Sequence, residues 1–156
     1  MDCESIPLSV SGVEEIGDRV LVVFDGHCGL CNRAVRWFLR RDGRDRLRFV
    51  ASESEKVAGL LERLGVVAAS GLGPGSILVV MDAGGASERL LVRSEAIVAL
   101  LGELPEPWPG FGMVLGWIPR VMCDLGYRLI ARWRYRIWGR MESCPLPTAE
   151  ERARFL

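Results

Sequence analysis

Three features of this 156-residue chain predict an α/β fold, with helices packed on a central mixed sheet. Val20-Leu21-Val22-Val23-Phe24 is a continuous apolar, β-branched run of the kind that forms a strand buried on both faces. Directly after it the hydrophobic repeat changes to helical spacing. The two patterns then alternate as far as Gly102 in the order β-α-β-α-β-β-α, a layered α/β arrangement. Composition agrees: 49% hydrophobic and 26% charged residues describe an ordinary globular protein, long enough to bury a core.

From Cys28 to Arg41, Cys31, Ala34, Val35, Phe38 and Leu39 share one helical face, with Asn32, Arg33, Arg36 and Arg40 opposite. Asp42-Gly43 ends that helix. Leu47 to Ala51 reads as a second strand. Ser52 or Ser54 then caps a helix through Leu64, stopped by Gly65. Residues 65–75, rich in glycine, form a loop. Ser76 to Met81 is a third strand, Asp82 to Gly85 a turn, and Glu88 to Val92 a fourth strand, which implies an antiparallel hairpin. Ser94 caps a helix through about Leu101. This is the element order of thioredoxin.

Beyond Gly102, Pro105, Pro107, Pro109 and Pro119 punctuate the chain before a long helical pattern. Ile118, Met122, Leu125, Leu129, Trp133 and Ile137 follow one side of it, and Arg128, Arg132 and Arg136 another. Gly139 ends it, and Cys144-Pro145-Leu146-Pro147 opens an extended tail. The predicted organisation is a lead-in over 1–19, a thioredoxin-like core over 20–104, and a helical extension with tail over 105–156. Trp108, Trp117, Trp133 and Trp138 carry enough apolar area that the extension is expected to dock on the core.

Formal net charge is zero, so no global field points to nucleic acid or to an anionic membrane. The apolar stripe is expected to be core and the arginine row a solvated face, so membrane contact is not expected. The Met1-Asp2-Cys3-Glu4 start lacks the basic and apolar regions of a secretory leader, which predicts a cytoplasmic setting. In a reducing compartment, five cysteines point to catalysis or metal rather than to a disulfide framework.

The chemistry concentrates in Phe24-Asp25-Gly26-His27-Cys28-Gly29-Leu30-Cys31-Asn32. Two residues between cysteines, wound into a first helical turn, bring both sulfurs within bonding distance. The first then meets free backbone N–H groups and the positive end of the helix dipole, which favour its thiolate. Comparable motifs lower a thiol from about 8.5 to roughly 3.5–7.5. Cys28 is therefore assigned as the attacking thiol, which must be accessible, and Cys31 as the resolving thiol. Gly29 would let a partner backbone approach closely. Asp25 either accepts a proton from Cys31 through water or hydrogen-bonds loop amides. His27 either steadies the thiolate or is an exposed loop residue. A Cys-x-x-Cys is also half of a zinc site, but Cys123 and Cys144 lack the spacing of a second pair. Cys3 reads as an incidental thiol. The alternatives are a thioredoxin-like binding module, whose arginine row could lie on a membrane, and a zinc-binding structural domain.

These residues resemble the DCC family of predicted thiol-disulfide oxidoreductases, named for an Asp-x-x-Cys-x-x-Cys signature that Asp25, Cys28 and Cys31 match. Arg41-Asp42 with Leu47 to Ser52, and the tail Tyr127 to Arg140 followed by Ser143-Cys144 and Pro147, are similar to further blocks of that family. The resemblance implies a thioredoxin-like fold, disulfide reductase activity and a redox-active Cys28–Cys31 pair. No organic cofactor or metal is called for, and the partners are protein or small-molecule thiols and disulfides with an electron donor. Where thioredoxins carry a proline before the third strand, this chain has Gly75-Ser76, with Pro74 slightly early. Cys144 is a candidate third redox thiol, set against a reading as an inert thiol.

Overall fold

The computed structural model describes residues 16, 18–64, 77–83, 85–142 and 148–155. Cys3, Pro74 to Ser76 and Cys144 lie outside them, as does the loop assigned to residues 65–75.

The elements run β1 (Val20–Phe24), α1 (Gly29–Arg41), β2 (Leu47–Ala51), α2 (Glu55–Arg63), β3 (Leu78–Met81), β4 (Arg89–Val92) and α3 (Arg93–Glu103). They continue with α4 (Trp108–Trp117), α5 (Arg120–Ile137) and the single turn α6 (Ala149–Arg152). The four strands form one sheet in the order β2-β1-β3-β4. β1 pairs parallel with β2, Val22 opposite Phe49, and antiparallel with β3, Val22 opposite Val79. β3 and β4 form the antiparallel hairpin. This is an α/β fold of thioredoxin type, with β1 central and every residue of it buried.

Alternation along β1 divides the core in two. Val20, Val22 and Phe24 face Val35, Phe38, Ala96 and Leu100, so α1 and α3 cover one side. Leu21 and Val23 face Val57 and Leu60 of α2 on the other. Asp42 ends α1 and turns its buried carboxylate to the Arg46 and Leu47 amides at 3.0 Å each, which fixes the entry into β2.

Ser94 does not cap α3. Val92 takes that position, and the Ser94 hydroxyl instead donates to Asp124, tying α3 to α5. The C-terminal pattern is two helices, because Pro119 interrupts the backbone between α4 and α5. The extension docks on the core, though with a different face from the one expected. Trp108 stacks edge-on against Trp37 with centroids 4.6 Å apart, and Trp138 is half-buried. Trp117, however, is 88% exposed, and the stripe from Met122 to Ile137 faces solvent. The tail is also not wholly extended. Thr148 and Glu151 form a reciprocal capping box that starts α6, and Phe155 then bridges to Phe49 beside β2.

Candidate active site

The dithiol sits at the end of the central strand, where β1 gives way to α1. Cys28 is the N-cap of α1, in extended backbone, and its Sγ accepts from the Cys31 N–H at 3.4 Å. The two thiols also hydrogen-bond to each other. That bond is the largest influence lowering Cys28, to about 6; the Cys31 amide and the Arg134 guanidinium add to it, while burial opposes it. Cys31 is pushed the other way, first by its bond to Cys28 and then by burial. The acidities of the two sulfurs are thus drawn apart, the thiolate being favoured at Cys28 and the thiol at Cys31.

Around the pair the loop is fixed by its own polar groups. The buried Asn32 amide donates to the Gly26 and Cys28 carbonyls at 2.8 and 3.1 Å. Asp25 is buried, and its carboxylate accepts from the His27 amide at 2.9 Å. Its other oxygen accepts from the Tyr135 hydroxyl and lies 3.7 Å from the Arg134 guanidinium. Burial alone would raise this carboxyl, but Tyr135, the His27 amide and Arg134 hold it below the usual carboxylate range. Asp25 thus accepts from a loop amide through one oxygen and from Tyr135 through the other. His27 places Nδ1 3.2 Å from Glu53 and 3.9 Å from Asp25, so its ring answers to two carboxylates.

Arg134 and Tyr135 were not singled out in the sequence. Both come from the last turns of α5, whose inward face carries Asp124, Tyr127, Ala131 and Arg134. Their helical spacing with Tyr127 and Ala131 is the signal that the sequence offers. Tyr127 accepts from the Ile77 amide at 2.9 Å, so this polar side is the one that docks.

Accessibility of Cys28 is where the sequence expectation fails. The residue is 0% exposed. After α5, Gly139 takes a positive φ of 76°, which lets the chain reverse and run back over the dithiol. This strap, residues 138–141, makes an antiparallel bridge between Arg140 and Cys28, and the Met141 amide donates to the His27 carbonyl at 2.8 Å. Gly29 is indeed the point of close backbone approach, but the backbone is the chain's own. A Cβ there would stand 2.6 Å from the Trp138 carbonyl oxygen.

As for metal, Asp25, His27 and Glu53 offer ligand atoms within 4.8 Å of one another, and each Asp25 oxygen already accepts one hydrogen bond. Among the described residues no third such ligand joins Cys28 and Cys31. Cys123 lies elsewhere, its thiol donating to the Leu115 carbonyl where α4 meets α5.

The family of DCC1-like thiol-disulfide oxidoreductases matches residues 22–140. The chain belongs to that family. It is similar to the uncharacterized protein YuxK of Bacillus subtilis, 31% identical over 143 residues, covering 92% of this chain and 97% of that one. It is also similar to a chloroplastic DCC family protein of Arabidopsis thaliana, 32% identical over 130 residues, covering 82% and 70%. No solved structure matches. The matched span runs from β1 through the strap at Arg140, so it takes in the dithiol and the α5 residues that surround it.

Proposed function

We propose that this DCC-family chain is a protein-disulfide reductase in which Cys28 attacks and Cys31 resolves. The opposed acidities of the two hydrogen-bonded thiols carry the reading. The Cys28 thiolate attacks a substrate disulfide, forming a mixed disulfide and releasing one substrate thiolate. Cys31 loses its proton and attacks the Cys28 sulfur, closing the Cys28–Cys31 disulfide as the second substrate thiolate leaves. Two electrons pass to substrate, and an external dithiol must return them.

Arg134 supports the charged state, because a buried guanidinium beside the thiolate offsets its desolvation. Asp25 and Tyr135 hold the loop that presents Cys28. No added organic cofactor is needed, since the sulfurs carry the electrons, and a reducing compartment such as the cytoplasm favours this direction. The strap must swing away before a disulfide reaches Cys28, so its few backbone bonds act as a gate on substrate entry.

Reduction of insulin by the full chain, regenerated by dithiothreitol, tests the proposal. Cys28→Ser should abolish turnover, and Cys31→Ser should accumulate a mixed disulfide on Cys28. Equal activity in wild type and both variants would overturn it.

A further inference from the structure

Helix α5 is built with its polarity inverted. Toward the domain it turns Asp124, which accepts from Ser94, and Tyr127, which accepts from the Ile77 amide. Arg134, also on that side, is buried at the dithiol. Toward solvent it turns Val121, Met122, Leu125, Leu129 and Trp133, with Val121 80% exposed. A helix ordinarily buries such a stripe, and an exposed apolar face of this extent marks a contact surface. The face continues into the corner where α4 meets α5, formed by Trp117 and Ile118, both exposed. α4 itself carries no charged residue.

Charge decides between occupants. From Trp108 to Arg140 there are six arginines and one acid, Asp124, in a chain whose net charge is zero. Asp124 is engaged by Ser94. Arg128, Arg132 and Arg136 are exposed and follow one edge of the apolar stripe at intervals of four. A second copy would bring a like-charged rim against this one, which costs energy in any self-association. An anionic lipid bilayer offers what the face presents. Its acyl boundary takes the apolar stripe, its headgroups take the arginines, and a tryptophan is at home at the interface between them. No described helix is long and apolar enough to cross a membrane, so contact would be in the interfacial plane.

We propose that the outer face of α5, with the Trp117–Ile118 corner, is a docking surface for an anionic lipid bilayer. The arginine row lies at headgroup level, and Val121, Leu125 and Leu129 enter the acyl boundary. The dithiol then sits on the opposite side of the same helix, facing away from the lipid. The proposal stands on the surface alone and does not depend on the redox reading.

The test is co-sedimentation of the full, reduced chain with vesicles of phosphatidylcholine alone or with one-third phosphatidylglycerol, at low and high salt. Binding should be at least about tenfold stronger to the anionic vesicles and should weaken as salt screens the headgroups. Arg128→Gln/Arg132→Gln/Arg136→Gln should lose the preference for anionic lipid. Val121→Asp/Leu125→Asp should lose binding to both vesicles, with an unchanged circular dichroism spectrum, since both positions are exposed. No binding to anionic vesicles, or equal binding to neutral ones, would overturn the proposal. So would a lipid-free dimer that Val121→Asp/Leu125→Asp dissociates, because the face would then belong to a second copy.

Discussion

The two faces of α5 carry opposite assignments in one stretch of sequence. The inward face is polar and specific: Asp124 meets Ser94, Tyr127 meets the Ile77 amide, and Arg134 and Tyr135 reach Asp25 beside the dithiol. The outward face is apolar, and among the described residues its large side chains stay exposed. A helix docked through hydrogen bonds gains orientation more than stability, since each buried polar bond contributes only about 1 kcal/mol net. Such docking suits a helix whose task is to place a guanidinium and a strap against two sulfurs.

The largest expected contrast comes from Arg134. Arg134→Met removes the cation beside the buried Asp25 and should cost about 3 kcal/mol, read as a lower urea midpoint, because a buried carboxylate loses its charged neighbour. The same variant should move the Cys28 thiol upward. Unchanged stability and unchanged thiol acidity together would mean that the inner face does not serve the site.

Gly29→Ala sharpens the role of the strap. Its new Cβ would stand 2.6 Å from the Trp138 carbonyl oxygen, so the strap must shift outward. Alkylation of Cys28 should quicken several-fold, at a cost in stability of about 1–3 kcal/mol. A rate no faster than wild type would show that the strap does not guard the sulfur.

Tyr135→Phe is a smaller change, expected to cost about 1 kcal/mol by removing the donor to Asp25. Its pH dependence has a definite sign. Asp25 is held below its unfolded value, so its contribution is present above that value and lost as pH falls through the folded one. Without Tyr135 the folded carboxyl rises, and the acid-side loss of stability between the two values should shrink. An unaltered acid limb would remove Tyr135 from the account.

The smallest effect belongs to the outer face. Leu129→Ala should change stability by no more than about 0.5 kcal/mol, whereas Leu100→Ala in the core should cost about 2–5 kcal/mol. Equal costs would place the stripe inside a packed interface.

The core was legible because its signals are local. An uninterrupted β-branched run can satisfy its side chains only between two layers, and β1 is the central strand that Val20 to Phe24 specified. The position of the dithiol followed from the same strand-to-helix junction. Periodicity, by contrast, tells which residues share a face and not which way the face turns, so the stripe of α5 was expected inward and lies outward. The α5 residues beside the dithiol loop were hidden for a related reason. Arg134 and Tyr135 stand more than a hundred residues from Cys28, and only the docking of α5 brings them together. Ser94 misled because a serine before a helical run signals a cap, while a cross-helix acceptor is invisible in one dimension. The capping box of Thr148 and Glu151 was legible and overlooked, since the prolines before it suggested extended chain.

The most direct test of the central claim is the pH dependence of Cys28 alkylation by iodoacetamide in the full, reduced chain, followed by mass spectrometry. A thiolate favoured by Cys31, the Cys31 amide and Arg134 should give a rate that rises with pH through a midpoint near 6. A midpoint near the ordinary thiol value of 9.0 would contradict the account, for the site would then hold no activated sulfur.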